Sequence, residues 1–135
     1  MSSSQRQSTG RFGENLAADY LLQRGYRILA RNVRTAYGEI DLVALQDAPD
    51  APGNPNSGGD VLVFVEVKTR RTKGFGFPEE SITSTKRAHM QAAAQAYLQT
   101  NPDREGDWRL DVIAIRISGP KESETEIIHF ENIIP

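Results

Sequence analysis

The sequence predicts an α/β domain with the element order α-β-β-β-α-β-β. Three observations carry that reading. There are two stretches of helical periodicity, the second rich in alanine. Apolar runs with strand alternation lie between and after them, and Gly, Pro and Asn clusters punctuate the boundaries. At 135 residues, 38% hydrophobic and 25% charged, the chain is long enough for one core and too short for two.

Residues 1–8 are polar and read as a disordered lead, leaving residues 9–135 as the domain. The first helix is expected to be capped by Thr9 and to end at Gly25, a suitable left-handed residue after Arg24. Helical spacing places Glu14 on the inward face with Ala17, Ala18 and Leu21, and Asn15, Asp19 and Gln23 on the wet one. Strand one is expected over Tyr26 to Val33, turning at Ala36-Tyr37-Gly38 into strand two as a hairpin. Residues 47–60, with Pro49, Pro52, Pro55 and several glycines, have the composition of a flexible surface loop. Strand three covers Val61 to Lys68, helix two runs from Ser84 to Gln99, and strands four and five cover Trp108 to Ile117 and Glu126 to Phe130.

Charged residues stand where strands two and three should be buried. Gly38-Glu39-Ile40-Asp41-Leu42-Val43-Ala44 is followed by Val65-Glu66-Val67-Lys68, and apolar strands do not carry such groups unless they are paired or hold a metal. Alternation puts the four valines of strand three on one face and Leu62, Phe64, Glu66 and Lys68 on the other. In strand two it groups Ile40, Leu42 and Ala44, with Asp41 on the opposite face beside Glu66 if the strands are neighbours. Any one of these charges alone reads most simply as a structural ion pair. Together, on successive apolar strands, they read as a site.

Two converging carboxylates in a partly dry site repel each other, and a hard divalent cation with oxygen ligands relieves them. Mg²⁺ or Mn²⁺ suits this set better than zinc, because the chain has no cysteine and both His89 and His129 lie outside it. A lysine two residues from the carboxylate adds positive charge where a phosphodiester transition state develops negative charge. The absence of cysteine also agrees with a reducing cytoplasm, and no apolar run approaches a membrane span of roughly 18 residues. A soluble, cytoplasmic protein without membrane contact is expected.

GEIDLVA followed by VFVEVKTR resembles the PD-(D/E)xK restriction-endonuclease-like superfamily. It is more closely similar to the small YraN-type bacterial proteins, which themselves resemble archaeal Holliday-junction resolvases. The likeness runs from about Gly10 to Asn132, and it departs from a literal Pro-Asp because Ile40 precedes Asp41. It implies a nuclease core, a mixed sheet of about five strands flanked by helices. It also implies Asp41 and Glu66 as metal ligands, helped by the Val67 carbonyl, and Lys68 as the catalytic lysine. For Glu14 two readings stand open: a place in the metal shell, as in resolvase-like relatives, or a first-turn acid favoured by the helix dipole.

Arg70, Arg71 and Lys73, leaving the charged end of strand three, are candidates to grip phosphates, with Lys86 in the first turn of helix two as a secondary one. Phe75 and Phe77 are expected to pack back onto the domain. Asp111 reads as structural, paired with a basic residue near the sheet edge, and His129 as a strand-surface histidine. The expected function is Mg²⁺-dependent hydrolysis of DNA, in branched DNA if the resolvase likeness holds. A net charge of −2 and a pI of about 5.7 predict weak, salt-sensitive binding. The rivals are a nuclease-fold scaffold that cuts nothing and an RNA-directed protein. Resolvase-like relatives pair two active sites across symmetric DNA, which raises a homodimer, although the sequence shows no apolar interface stripe.

Overall fold

In the computed structural model, which describes residues 3–47, 60–71, 82–104, 106–118 and 124–133, the sheet is assembled around three central strands buried on both faces. The elements are α1 (Ser3–Gln23), β1 (Tyr26–Thr35), β2 (Gly38–Gln46), β3 (Val61–Arg71), α2 (Ser84–Thr100), β4 (Trp108–Ser118) and β5 (Glu124–Phe130), with a 3-10 turn at Pro102–Arg104. The five strands lie in sequence order, β1-β2-β3-β4-β5. Every neighbouring pair is antiparallel except β3 and β4, whose parallel pairing needs the long crossover that α2 supplies. This is the expected mixed α/β order, consistent with a restriction-endonuclease-like core.

Strand β3 is buried on both faces because its two residue sets meet different helices. Val63 and Val65 join Leu42, Ala44, Ile113, Ile115 and Ile117 under Ala17, Ala18 and Leu21 of α1. Leu62 and Phe64 join Ile40, Val43, Leu45 and Leu110 under Ala93 and Ala94 of α2. Both helices present alanines to the sheet, so their backbones approach it closely. Gly13 marks the tightest approach of α1: a Cβ there would run into the Thr69 hydroxyl at the end of β3. Helix α2 is capped at Thr83, whose hydroxyl accepts from the Lys86 amide at 3.2 Å.

Two expectations need correction. Helix α1 starts at Ser3, ahead of the Thr9 cap, so residues 3–8 are helical where a disordered lead is expected. In β2 the alternation breaks at Asp41: Leu42 and Ala44 pack toward α1, whereas Ile40 packs with Val43 and Leu45 toward α2. Irregular pairing flanks the break. Strand β1 shifts register between Ile28 and Ala30, and Asn32, which stands across from Asp41, adopts φ 53. On the other side the β2–β3 ladder stops at Leu42–Val65, so Asp41 and Glu66 are the first residues beyond it. Most of the Pro/Gly-rich 47–60 stretch, and Lys73, Phe75 and Phe77, fall outside the described residues. Its described ends, Asp47 and Asp60, both face Arg27, at 3.4 and 3.5 Å.

Candidate active site at the split between two strands

Where β2 leaves β3, a backbone amide loses its ladder partner, and a side chain replaces it. Asp41 Oδ2 accepts from the Val67 amide at 2.8 Å. The carboxyl is half-buried, and its pKa is pushed up to about 6, first by that burial and then by the nearby charges of Glu66, Glu14 and Glu39, against the opposing Val67 hydrogen bond. The acid at the centre of the site is thus held in an excess of negative charge.

Two hollows flank the split. On the α1 side, a cavity of about 540 Å³ is lined by Gly10, Glu14, Asn32, Asp41, Lys68 and Arg70, with Arg71 at its end. On the α2 side, a cleft of about 180 Å³ is lined by Ile40, Phe64, Glu66, Lys86 and their neighbours. Glu39 borders both. The sequence-predicted groups are therefore gathered at one end of the sheet, but Asp41 and Glu66 line different hollows. Lys68 spans them: it lines the Asp41 cavity while its Nζ lies 3.2 Å from Glu66 Oε1.

Glu14 does face inward, with its side chain only 14% exposed, as the helix phase predicts. Its Oε1 accepts from Arg31 Nε at 3.1 Å and Asn32 Nδ2 at 3.0 Å, and Arg31 also donates to Asn15 at 2.6 Å. The positive φ of Asn32 thus has a counterpart in the site, since that residue's amide orients Glu14. Lys86 lies against Lys68 and is pushed below the usual lysine range, first by that side-chain contact, then by partial burial and the Lys68 charge, with Glu66 opposing. Arg70 and Arg71 are exposed at the end of β3. Val67 contributes its amide to the site, through Asp41.

The donors are all hard oxygens, and the crowding of charge around Asp41 suits a divalent cation. Among the described residues, however, no three His, Cys, Asp or Glu side chains converge in metal-ligating geometry. Each carboxylate is held by a protein group: Asp41 by the Val67 amide, Glu66 by Lys68, Glu14 by Arg31 and Asn32.

A second polar cluster lies away from this site. Asp111, 0% exposed, accepts from Arg109 Nε at 3.0 Å and the Asn132 amide at 2.9 Å, and sits 2.7 Å from His129 Nε2. Burial alone would raise its pKa, but these hydrogen bonds hold the carboxyl below the usual range. The expected basic partner is Arg109, two residues earlier on the same strand face. His129 is corrected: it is not on the surface but 6% exposed, between Asp111 and the Tyr20 hydroxyl. Sequence reasoning missed Arg109 and Tyr26, whose hydroxyl accepts from Arg109 at 2.6 Å, although a buried Asp111 demands such partners.

No helix among the described residues is long and apolar enough to cross a membrane. A family model described as "Uncharacterised protein family UPF0102" matches residues 13–115. The chain is similar to a UPF0102 protein of Dehalococcoides mccartyi, 42% identical over 91% of both chains. It is also similar to UPF0102 proteins of Syntrophomonas wolfei, 42% identical over 89% of this chain and 94% of the relative, and of Roseiflexus castenholzii, 44% identical over 92% and 90%. The matched residues include Glu14, Asp41, Glu66, Lys68 and Lys86.

Proposed function

The chain belongs to the UPF0102 family, and from the charged groups gathered at the β2–β3 split, together with the resemblance of their motifs to the PD-(D/E)xK superfamily, we propose a metal-dependent endonuclease-like protein that hydrolyses DNA phosphodiester bonds, with branched DNA as the substrate suggested by the resolvase likeness. One observation carries the reading. At the split between β2 and β3, Asp41 is held half-buried among Glu66, Glu14 and Glu39, with Lys68 bridging to Glu66. Holding a half-buried carboxyl next to three other acids is costly for a fold that has no use for it.

In this reading Asp41 and Glu66 hold Mg²⁺ or Mn²⁺, with the Val67 carbonyl assisting and Glu14 available once it leaves Arg31. The cation supplies Lewis-acid charge to the phosphodiester when bound. Lys68, released from Glu66, faces the scissile phosphate, where its ammonium orients the attacking water and offsets the charge that develops on the non-bridging oxygens. Arg70, Arg71, Lys73 and Lys86 hold the flanking phosphates. The small basic area in an acidic protein predicts weak binding that salt disrupts, and two copies would pair across a symmetric junction.

A scaffold role is the second reading, and it is favoured because each site carboxylate already has a protein partner: Lys68 for Glu66, Arg31 for Glu14 and the Val67 amide for Asp41. The two separate in a cleavage panel of branched, flapped and linear DNA, with RNA in parallel, in Mg²⁺ and in Mn²⁺. Wild-type cleavage that falls at least 100-fold in both Glu66→Ala and Lys68→Ala supports the enzyme. Equal traces in all three proteins would sink it.

A further inference from the structure

The α2-side cleft shares Glu66 and Lys86 with the chemistry above, but the rest of its lining has no role there. Its floor is apolar, built from Ile40, Phe64 and Leu110, and its wall is formed by His89 and Met90 of α2. Glu66 and Lys86 stand at its border, and Glu39 joins it to the Asp41 cavity. At about 180 Å³ it is smaller than the roughly 300–1,000 Å³ of sites for drug-sized ligands, so it has room for one ring system and none for a duplex.

Tyr37 supplies a second, independent observation. It lines the cleft and is 60% exposed, and Leu22 is the only other large hydrophobic residue so exposed among those described. The turn that presents it is fixed. The Thr35 hydroxyl accepts from the Tyr37 amide at 3.1 Å and donates to the Gly38 carbonyl at 2.7 Å, and Gly38 adopts a φ of 134 open to glycine. An aromatic ring held out on a fixed turn, over an apolar floor with a charged border, matches a planar ligand with two π faces and a polar edge.

We propose that this cleft receives one unpaired nucleobase of the bound strand, against Tyr37 and Met90, while the attached phosphate lies at Lys68 and Lys86. The inference rests on the nuclease reading and sharpens it: the substrate presents an unpaired nucleotide at the scissile position, as at flaps, junction branches and single strands. An intact duplex does not fill the cleft.

The test is fluorescence anisotropy of the full chain in Ca²⁺ with three labelled probes of equal length: oligothymidylate, the same sugar-phosphate strand made wholly abasic, and duplex DNA. Wild type is expected to bind oligothymidylate about 10-fold more tightly than the abasic strand, in line with one base stacked on an aromatic side chain. Tyr37→Ala removes the platform and Met90→Trp fills the cleft; both should erase that preference while leaving abasic-strand affinity unchanged, with a cooperative thermal melt showing that each variant is folded. Equal affinity of wild type for thymidylate and abasic strands overturns the proposal, as does a preference that survives in both folded variants. Mg²⁺-dependent cleavage measured alongside separates the two ideas. Cleavage without base preference overturns the cleft alone, base preference without cleavage overturns the enzyme alone, and no binding to any probe overturns both.

Discussion

Asp41 is ionised at pH 7 only at a cost, because burial and the Glu66, Glu14 and Glu39 charges outweigh the Val67 amide and push its carboxyl up to about 6. In the unfolded chain the same group titrates near its ordinary value of 3.8. Between those values the folded state binds more protons, so stability falls as pH rises through that window. Asp41→Asn keeps an acceptor for the Val67 amide and removes the charge. It should raise stability by about 1–3 kcal/mol above pH 6 and give no gain below about pH 4. Thermal melts of both proteins across that range read the difference directly, and added Mg²⁺ should narrow it at pH 7 by stabilising the wild type. At this scale the sequence was informative where chemistry was local. Asp41, Glu66 and Lys68 stood out as charges in apolar strands, and a partner for Asp111 was required by its burial. The partners that hold them were illegible, because Arg31 reaches Glu14 and His129 reaches Asp111 only through packing between distant segments.

Helix α1 crosses the end of β3 at Gly13, and that crossing sets how near Glu14 comes to Asp41. Glycine inside a helix costs about 1 kcal/mol relative to alanine, so its presence here answers to space rather than propensity. Gly13→Ala should therefore destabilise by about 1–3 kcal/mol despite the better helix former, since its methyl meets the Thr69 side chain. Thr69→Ala in the same chain should recover most of the loss, a coupling that a double-mutant cycle in denaturant measures. Element types were readable because helical and strand periods are distinct, and β3 and α2 fall where spacing puts them. The phase of β2 was not. Simple alternation assigns Ile40 to the same face as Leu42, and only the Asn32 backbone and the early end of the β2–β3 ladder reveal the break. Irregular pairing leaves no periodic trace in a single strand.

For the whole molecule, the balance of charge decides how any nucleic acid is met. With a net charge of −2, the chain has no general attraction for DNA, and binding must come from a few cations around one sheet end. If Arg70, Arg71, Lys73 and Lys86 each neutralise one phosphate, the logarithm of the duplex association constant should fall with the logarithm of salt at a slope of about −4. A salt titration gives that slope, and a value steeper than about −6 would mean a far larger basic surface than these residues provide. The α/β class and order were legible from the chain as a whole because one core fits its length. The location of the split was not, since strand order and ladder ends are properties of the assembled sheet.

The amide of Val67 has a consequence independent of any reaction. A carboxylate is a stronger acceptor than a neutral acid, so the hydrogen bond to Asp41 should weaken as that group takes up its proton. Hydrogen exchange at Val67, corrected for its intrinsic pH dependence, should lose protection on acidification through about pH 6, while amides inside the β3–β4 ladder keep theirs. One resonance in a two-dimensional NMR spectrum would then act as a charge gauge for the split, readable before any substrate is known.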